Sequence, residues 1–492
     1  MKYKMIGICA CVCAVILSVL AVFLTSDHTN RYHQHMEAEK KTPCTDHGDE
    51  TFCTHLPLVQ IDTGGEEIPG KTIIDESGRK IGYTQSSEGE DEIRAYIKVT
   101  DHEKTNNHIG DESSVESDIM IHVRGNSSRA FDKSSYAIRL ITENGENNSQ
   151  SIMGMDAHHE WVLHGPYLDK SLMRNYMWYN IAGEIMDYAP NVRFCEMIVN
   201  GEYQGLYVMT ENVTAGKDGA RLSLSVNKKD NTFTGYILRL DRGSNVEIKN
   251  LDTFSKYTYR TLNALDIVYP GTGNLTEELR EAIRQDFSDF EKMLYSYDYD
   301  NKKYGYENVL DTQSFVDYFL INEFTCNYDA GRLSTYIYKD VDSRYRMCVW
   351  DFNSACDNYQ ESMMDTSHFE MQNRLWYTML FKDENFTDAV IKRYQKLRKS
   401  YLSEEYLNQY IEDVKAYLGD AIERNYEKWG YSFEEPYDLL TPADRNLRNY
   451  DEVMEQLKEF IHVRGEWMDE NIEILRQYSA ASKVKKFNEH TE

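Results

Sequence analysis

The sequence is poor in proline and in positive charge. It contains 8 prolines among 492 residues, which excludes collagen-like, mucin-like and proline-rich linker proteins. It has no CxxC pair, so a zinc site built on paired cysteines is disfavoured. Lys and Arg number 54 against 82 Asp and Glu, a net charge of −28, whereas nucleic-acid-binding proteins present clustered cations to phosphates. The charge therefore excludes nucleic acid as a general partner.

The N-terminus contains a run of twenty residues without charge, Met5–Leu24, preceded by two lysines. About 20 apolar residues cross a bilayer as a helix, whereas the apolar core of a cleaved signal peptide has about 7–15. We therefore predict a membrane anchor or signal peptide at residues 1–26, and the length favours a single-pass anchor. The lysines predict that the body lies outside the cell membrane, and it would be secreted if the segment is cleaved. Residues 27–55 are polar and are predicted to form a flexible stalk.

The rest of the chain changes character about halfway along. Hydrophobic residues make up 41% of the sequence, which is enough for a sizeable core. From residue 56 onward, alternating apolar and polar residues predict strands, with one helix at 169–187. From residue 276 onward, amphipathic helical runs dominate. We therefore predict an α+β fold with a strand-rich half that carries one helix, followed by a helix-rich half.

Residues 323–357 contain the pattern most indicative of chemistry. A predicted helix leads to Asp329, a predicted hairpin follows, and its second strand ends at Asp351. Two carboxylates at element ends joined by one hairpin can converge on one pocket. One can orient or deprotonate an attacking hydroxyl, and the other can hold Mg²⁺ against nucleotide phosphates. Taken singly, each aspartate also fits a structural role, as a turn residue or a strand-end cap.

A small polar turn in the strand-rich half offers phosphate contacts. The turn consists of Gly125, Asn126, Ser127 and Ser128, and Lys133 follows it. Backbone N–H groups of such a turn can cradle phosphates and a lysine can pair with them, although Gly/Ser turns are also ordinary hairpin chemistry. The chain has the element order of a protein-kinase N-lobe: strands, a lysine, a helix and two more strands. Glu211 ends the last strand, where a hinge would begin.

Several ordered segments resemble the CotH family of spore-coat-type atypical protein kinases. They are IHVRGNSSRAFDKSSYAIRL, EWVLHGPYLDKSLMRNYMWYNIAGEIM, NVRFCEMIVNGEYQGLYVMTENV and CVWDFNSACDNY. The resemblance implies a protein-kinase-like fold of two lobes within residues 56–400, which we divide at about residue 212. Beyond this domain we predict a helical extension at 401–480 and a flexible tail at 481–492.

The resemblance also implies a reaction. The family is expected to use ATP with Mg²⁺, or Mn²⁺, and to transfer the γ-phosphate to Ser or Thr of a protein substrate. Carried over by position, Asp329 is the catalytic aspartate, Asp351 is a Mg²⁺ ligand and Lys133 is the phosphate-contacting lysine. The expected partner is a surface or spore-coat-type protein.

Two positions depart from the kinase pattern. Ser334 stands five residues after Asp329, where kinases place a metal-binding Asn. Asn353 stands where many relatives have a second acidic residue, although its amide oxygen can still coordinate Mg²⁺. Two alternatives therefore stay open. One is a kinase-like surface protein without catalysis, and the other is a phosphoryl or nucleotidyl transferase that acts on cell-envelope glycan.

Overall fold

The computed structural model describes residues 31–41, 52–216, 221–225, 234–254, 256, 264–358 and 366–481. The membrane anchor or signal peptide predicted at 1–26 lies outside these residues, as does the predicted tail beyond residue 481. Within the described part of the chain, no helix combines the length and apolar character needed to cross a membrane.

The described residues form a mixed α+β fold, which confirms the predicted class. The strands are β1 Cys53–Thr54, β2 Leu58–Asp62, β3 Thr72–Ile74, β4 Lys80–Tyr83, β5 Ile93–Thr100, β6 Asn107–His108, β7 Val115–Arg124, β8 Ser135–Ile141, β9 Gln150–Ile152, β10 Met155–His158, β11 Glu160–His164, β12 Val192–Val199, β13 Glu202–Glu211, β14 Tyr236–Asp241, β15 Asn250–Leu251, β16 Ala264–Tyr269, β17 Thr335–Lys339 and β18 Arg346–Cys348. The α-helices are α1 Gln34–Glu37, α2 Arg174–Ile185, α3 Glu277–Leu294, α4 Thr312–Phe324, α5 Tyr377–Leu380, α6 Glu384–Leu397, α7 Glu404–Leu418, α8 Asp420–Trp429 and α9 Tyr450–Asn471.

Seven strands close into a barrel in the order β11-β13-β12-β2-β5-β7-β8. Neighbouring strands are antiparallel except β2 and β12, which run parallel. Alternate residues of β7, from Val115 to Val123, are buried, because side chains alternate between the two faces of a strand. They join Leu140, Trp161 and Met209 in a core inside the barrel. The period-two pattern of the sequence therefore predicted these strands correctly.

Helix α2 packs against β12 on the outside of the barrel. It begins at Arg174, five residues later than the sequence pattern predicts. Asp169 explains the difference, because its carboxylate accepts hydrogen bonds from the backbone N–H of Ser171 (3.1 Å) and of Arg174 (2.8 Å). These bonds stabilise a turn that precedes the first helical residue.

A second sheet has the order β15-β16-β14-β17-β18. The hairpin formed by β17 and β18 is antiparallel, as the sequence predicts, and α4 precedes it. Helix α4 contacts both β18 and α6. Since α4 ends near Asp329 and β18 ends near Asp351, this packing brings the two predicted site segments together.

Helices α7 to α9, predicted as an extension beyond residue 400, belong to the main core. Leu407, Leu457 and Ile461 are buried in the same cluster as Phe319 of α4. Helix α9 also contributes Arg464, which forms an ion pair with Glu323 of α4 at 2.7 Å. The C-terminal helices are therefore integral to the body that carries the site.

We expect Arg464→Ala to lower the free energy of unfolding by about 3–5 kcal/mol. Arg464 is 0% exposed and Glu323 is 1% exposed, so the substitution leaves a buried carboxylate without its partner. Arg476 is the matched control, because its ion pairs with Asp388 and Glu473 are exposed and its loss should change little. Denaturant titrations of both variants measure the effect. Equal midpoints for the two variants would contradict this account of the α9 contact.

Part of the predicted stalk is also packed onto the body. Residues 31–41 lie against α2, α7 and β12, and both His33 and Gln34 are buried. The prediction of a flexible stalk is wrong for this segment. Its contacts are mainly hydrogen bonds from polar side chains, so the segment has no apolar periodicity from which packing could be predicted.

Candidate active site

Two loops form the centre of the site. The first follows α4 and carries Asn327 and Asp329, and the second follows β18 and carries Asp351 and Asn353. Asn327 joins them, since its Nδ2 donates to the backbone carbonyl of Asp351 at 3.0 Å and its Oδ1 accepts from Ser354 Oγ at 3.1 Å. This buried amide keeps the two aspartate loops in a fixed relation.

Helix α2 fixes the second loop from the other side. Asn175 Oδ1 accepts from the backbone N–H of Phe352 at 2.7 Å, and Asn175 Nδ2 donates to Asn353 Oδ1 at 3.0 Å. The hydroxyl of Tyr179 accepts from the backbone N–H of Asp351 at 2.9 Å. These contacts hold Asp351 with φ +63°, a left-handed conformation that Asp and Asn adopt more readily than other non-glycine residues. No local pattern indicates Asn175 or Tyr179, which lie 177 and 172 residues before their partners in the loop.

The carboxylates lie in a partly desolvated, mostly acidic environment. Burial, then the charges of Asp351 and Asp241, raise the pKa of Asp329 to about 7, and Arg242 opposes them. Burial also raises the pKa of Asp351, against hydrogen bonds from Asn353 and the charge of Arg124. Perturbed carboxyl groups of this kind are typical of functional sites. Asp241 and Arg242, at the end of β14, are site residues that the sequence analysis missed.

The cleft between the barrel and the second sheet is narrow. It encloses about 20 Å³, which is room for about one water molecule, so a nucleotide requires the two sides to move apart. The lining residues are Arg124, Val162, His164, Asn175, Tyr179, Thr210, Trp350, Asp351 and Asn353. The barrel therefore contributes a cation, Arg124, and a buried histidine, His164, to the side opposite Asp351.

Lys133 is not among the lining residues of the cleft. It is 2% exposed, and its Nζ donates to the backbone carbonyl of Leu206 and to Asn425 Oδ1 of α8, both at 2.7 Å. Burial lowers the pKa of Lys133 well below its ordinary value. Lys133 therefore joins the barrel to α8, and its position in this structure does not support the predicted contact with phosphate.

The polar turn predicted to contact the nucleotide follows a cleft residue, Arg124, but none of its four residues is among the lining residues. Gly125, Asn126 and Ser127 are exposed and Ser128 is half-buried, in the turn directly after Arg124. Gly125 has φ +108°, and a Cβ there would lie 2.0 Å from Ser128 Oγ, so the turn requires glycine.

Glu211 is buried at the end of β13, where it accepts from the backbone N–H of Asn191 at 2.8 Å. Its neighbour Thr210 lines the cleft, and side chains alternate along a strand. Glu211 is therefore absent from the cleft lining, and the structure assigns it a structural contact.

The oxygen donors fit a magnesium ion that arrives with a nucleotide. Mg²⁺ commonly takes one or two carboxylates together with substrate phosphates, and Asp351 with the amide oxygen of Asn353 would supply such donors. A divalent cation would also offset the charge of Asp351, which, after burial, raises the pKa of Asp329.

A tighter group of metal-ligand side chains lies elsewhere. Within the described ranges, three such side chains come within 4.8 Å of one another only at His158, His159 and Glu160. Burial and then the charge of Arg221 lower the pKa of His158 to about 3. Its Nδ1 already accepts from the backbone N–H of Glu160 at 2.9 Å. The positive charge of Arg221 and the hydrogen bond already accepted by His158 Nδ1 disfavour a cation at this group.

We expect Asp329→Asn to stabilise the metal-free protein at pH 8 and to leave its stability unchanged at pH 4. The raised pKa of Asp329, about 7, lies above the value of about 3.9 in an unfolded chain. Asp329 is neutral in the folded protein at low pH. As the pH rises from about 4 to about 7, the cost of ionising this buried group lowers the free energy of unfolding. Asn has no charge to desolvate, so the gain at pH 8, above both pKa values, should be about 4 kcal/mol, at 1.36 kcal/mol per pKa unit. Thermal unfolding in EDTA across pH 4–8 measures it, and a gain independent of pH would contradict the account.

Comparisons with known proteins agree with this arrangement. The family model described as CotH kinase protein matches residues 121–468, a range that includes the cleft, both aspartate loops and most of α9. The chain is also similar to the inner spore coat protein H of Bacillus subtilis (strain 168), with 21% identity over 364 residues that cover 73% of this chain and 88% of that protein. The chain belongs to the CotH kinase protein family.

Proposed function

We propose that the protein is an Mg²⁺-dependent atypical protein kinase that transfers the γ-phosphate of ATP to Ser or Thr of a protein. The observation that carries the proposal is the pairing of Asp329 and Asp351 on two loops joined by Asn327, with the pKa values of both carboxyl groups raised. The family to which the chain belongs supports it.

Each carboxylate has a distinct role in the proposal. Asp329, with a pKa of about 7, accepts the proton of the attacking hydroxyl, because a base is most effective with a pKa near the working pH. Asp351 and Asn353 hold the metal ion. The bound Mg²⁺ supplies charge neutralisation for the phosphates, and Asn175 keeps the Asn353 amide oriented by its hydrogen bond.

Arg124 and His164 are proposed to contact the phosphates from the barrel side. His164 is 8% exposed and its Nε2 has no protein partner. Ser135 Oγ accepts from the backbone N–H of Gly165 at 3.0 Å and lies 3.5 Å from His164 Nδ1. In the proposed arrangement the Ser135 hydroxyl donates to Nδ1, and Nε2 carries the ring proton as a donor into the cleft. Burial and the charge of Arg124 lower the pKa of His164 to about 3, so the donor is neutral.

The proposed architecture is a kinase-like pair of lobes. The barrel with α2 corresponds to an N-lobe, and the second sheet with the helices of the C-terminal half corresponds to a C-lobe that includes α7 to α9. The relative is named as a spore coat protein, which supports a surface or spore-associated location and a coat-type protein substrate. The anchor or signal peptide predicted at 1–26 is part of this proposal.

The position of the transferred label tests the proposed reaction. The full chain is incubated with Mg²⁺, a mixture of Ser-containing proteins, and ATP labelled at either the γ- or the α-phosphate. We expect protein-bound label from γ-labelled ATP alone. Label from α-labelled ATP would show nucleotidyl transfer, and a labelled glycan fraction would show a different acceptor. Either result would overturn the proposed kinase reaction.

A kinase-like binding protein without catalysis is the second candidate. Ser334 stands where a kinase has its second metal ligand, and the cleft is too narrow for a nucleotide in this conformation. This candidate predicts that Mg²⁺-ATP raises the Tm while no label is transferred. Transfer that depends on Asp351 would exclude it.

A further inference from the structure

The N-terminal strap, residues 31–37, makes a set of directed contacts with α2. Arg31 Nε donates to Asn180 Oδ1 at 3.0 Å, and its Nη1 donates to the backbone carbonyl of Ala189 at 2.8 Å. The guanidinium lies over Gly183, where a Cβ would come within 2.8 Å of the Arg31 side chain. Any larger residue at position 183 would displace Arg31, so the helix is shaped to accept this side chain.

Two more strap residues extend these contacts. His33 Nε2 lies 2.9 Å from Glu184 Oε1 of α2, and His33 Nδ1 lies 3.1 Å from the hydroxyl of Tyr410 in α7. Gln34 forms a pair of bonds with the backbone of Phe194 in β12, accepting at 2.7 Å and donating at 3.2 Å. The strap therefore joins α2 to both the barrel and a C-terminal helix.

The strap and the active-site loop contact neighbouring faces of the same helix. Asn180, Gly183 and Glu184 face the strap, while Asn175 and Tyr179 face the loop with Asp351. At about 100° per residue, these two faces lie roughly a third of a turn apart. A rotation or shift of α2 that breaks the strap contacts would also move Asn175 and Tyr179 away from the loop.

We propose that Arg31 and His33 are positioning residues that hold α2 where Asn175 and Tyr179 set the geometry of Asp351 and Asn353. The expected consequence is that the N-terminal segment controls Mg²⁺-nucleotide binding, and this consequence rests on the proposed function. The strap follows the predicted anchor by only a few residues, so displacement of the N-terminus would act directly on the strap contacts. Loss of these contacts lowers the population of the metal-binding conformation. Such regulation is a shift between two arrangements of one helix.

Hydrogen exchange of the full chain tests the strap without relying on activity. In the double variant Arg31→Ala/His33→Ala, we expect exchange at 174–185 and 351–358 to rise about tenfold, with β5 and β7 unchanged. The matched control is Met36→Ala in the same strap, because Met36 is 49% exposed and should leave exchange at wild-type rates. Unchanged exchange at 174–185 in the double variant would overturn the proposal, as would a uniform rise across the chain.

Mg²⁺ titration provides the functional readout. With a fluorescent ATP analogue as probe, we expect the double variant to need about tenfold more Mg²⁺ for half-maximal binding. The variant Arg31→Lys, which retains the charge and one donor nitrogen, should need less additional Mg²⁺ than the double variant. An unchanged Mg²⁺ requirement would contradict the link to the site. If the wild type binds no analogue, the proposed function fails, whereas the exchange result still decides whether the strap positions α2.

Discussion

Asp351→Asn is expected to reduce γ-phosphate transfer about 10³-fold and to remove the Mg²⁺-dependent rise in Tm on addition of ATP. Asn keeps the size of the side chain and the oxygen that accepts from the backbone N–H of Asn353 at 3.1 Å. It also tolerates the positive φ of this position, +63°. The substitution therefore removes the charge that binds the metal while it preserves the loop.

Asp342→Asn is a matched control for this variant. Asp342 also has positive φ, +55°, but it is exposed in the turn between β17 and β18. We expect transfer and nucleotide-induced stabilisation at the level of the wild type. Equal activity of Asp351→Asn and Asp342→Asn would show that the metal is held elsewhere.

Asp329→Asn is expected to separate binding from transfer. Loss of the proton acceptor should lower the transfer rate by about 10²–10⁴-fold, while the Mg²⁺-dependent Tm shift persists because Asp351 and Asn353 are intact. Calorimetric titration with Mg²⁺-ATP and a rate measurement on the same preparation check the two parts. If the affinity for Mg²⁺-ATP fell by the same factor as the transfer rate, Asp329 would instead be a metal ligand.

The local order of the site could be predicted from the sequence. A helix, Asp329, a two-stranded hairpin and Asp351 occur within 40 residues, from 312 to 351, and each element has a clear pattern of its own. The turn at Gly125 was also identifiable, because a small polar run of Gly, Asn and Ser follows directly after a strand pattern. Short-range periodicity and turn chemistry were sufficient for these features.

The partners that complete the site come from distant segments, and no local pattern indicates them. Lys133 follows a small polar turn, yet its partner Asn425 is 292 residues away, and no local pattern indicates this structural contact. Asn175 and Asp241 were missed for the same reason. They belong to a helix and a strand whose periodicity predicts packing. Only the assembled fold brings Asn175 to the cleft and places the charge of Asp241 where it affects the pKa of Asp329.

The strap illustrates a related limit. Arg31, His33 and Gln34 lie in a polar stretch whose composition is typical of a stalk. Its stability depends on specific acceptors, among them the backbone carbonyl of Ala189 and the carboxylate of Glu184, and on the absence of a Cβ at Gly183. None of these acceptors can be inferred from the stretch itself.

The most direct test of the central claim is the rate of γ-phosphate transfer at saturating Mg²⁺ and ATP for the wild type and its three Asp→Asn variants, read by intact mass and by label. The account predicts transfer by the wild type and Asp342→Asn, and loss of transfer in Asp329→Asn and Asp351→Asn, with all four proteins folded. Transfer that is absent from the wild type, or that survives in Asp351→Asn, would contradict it.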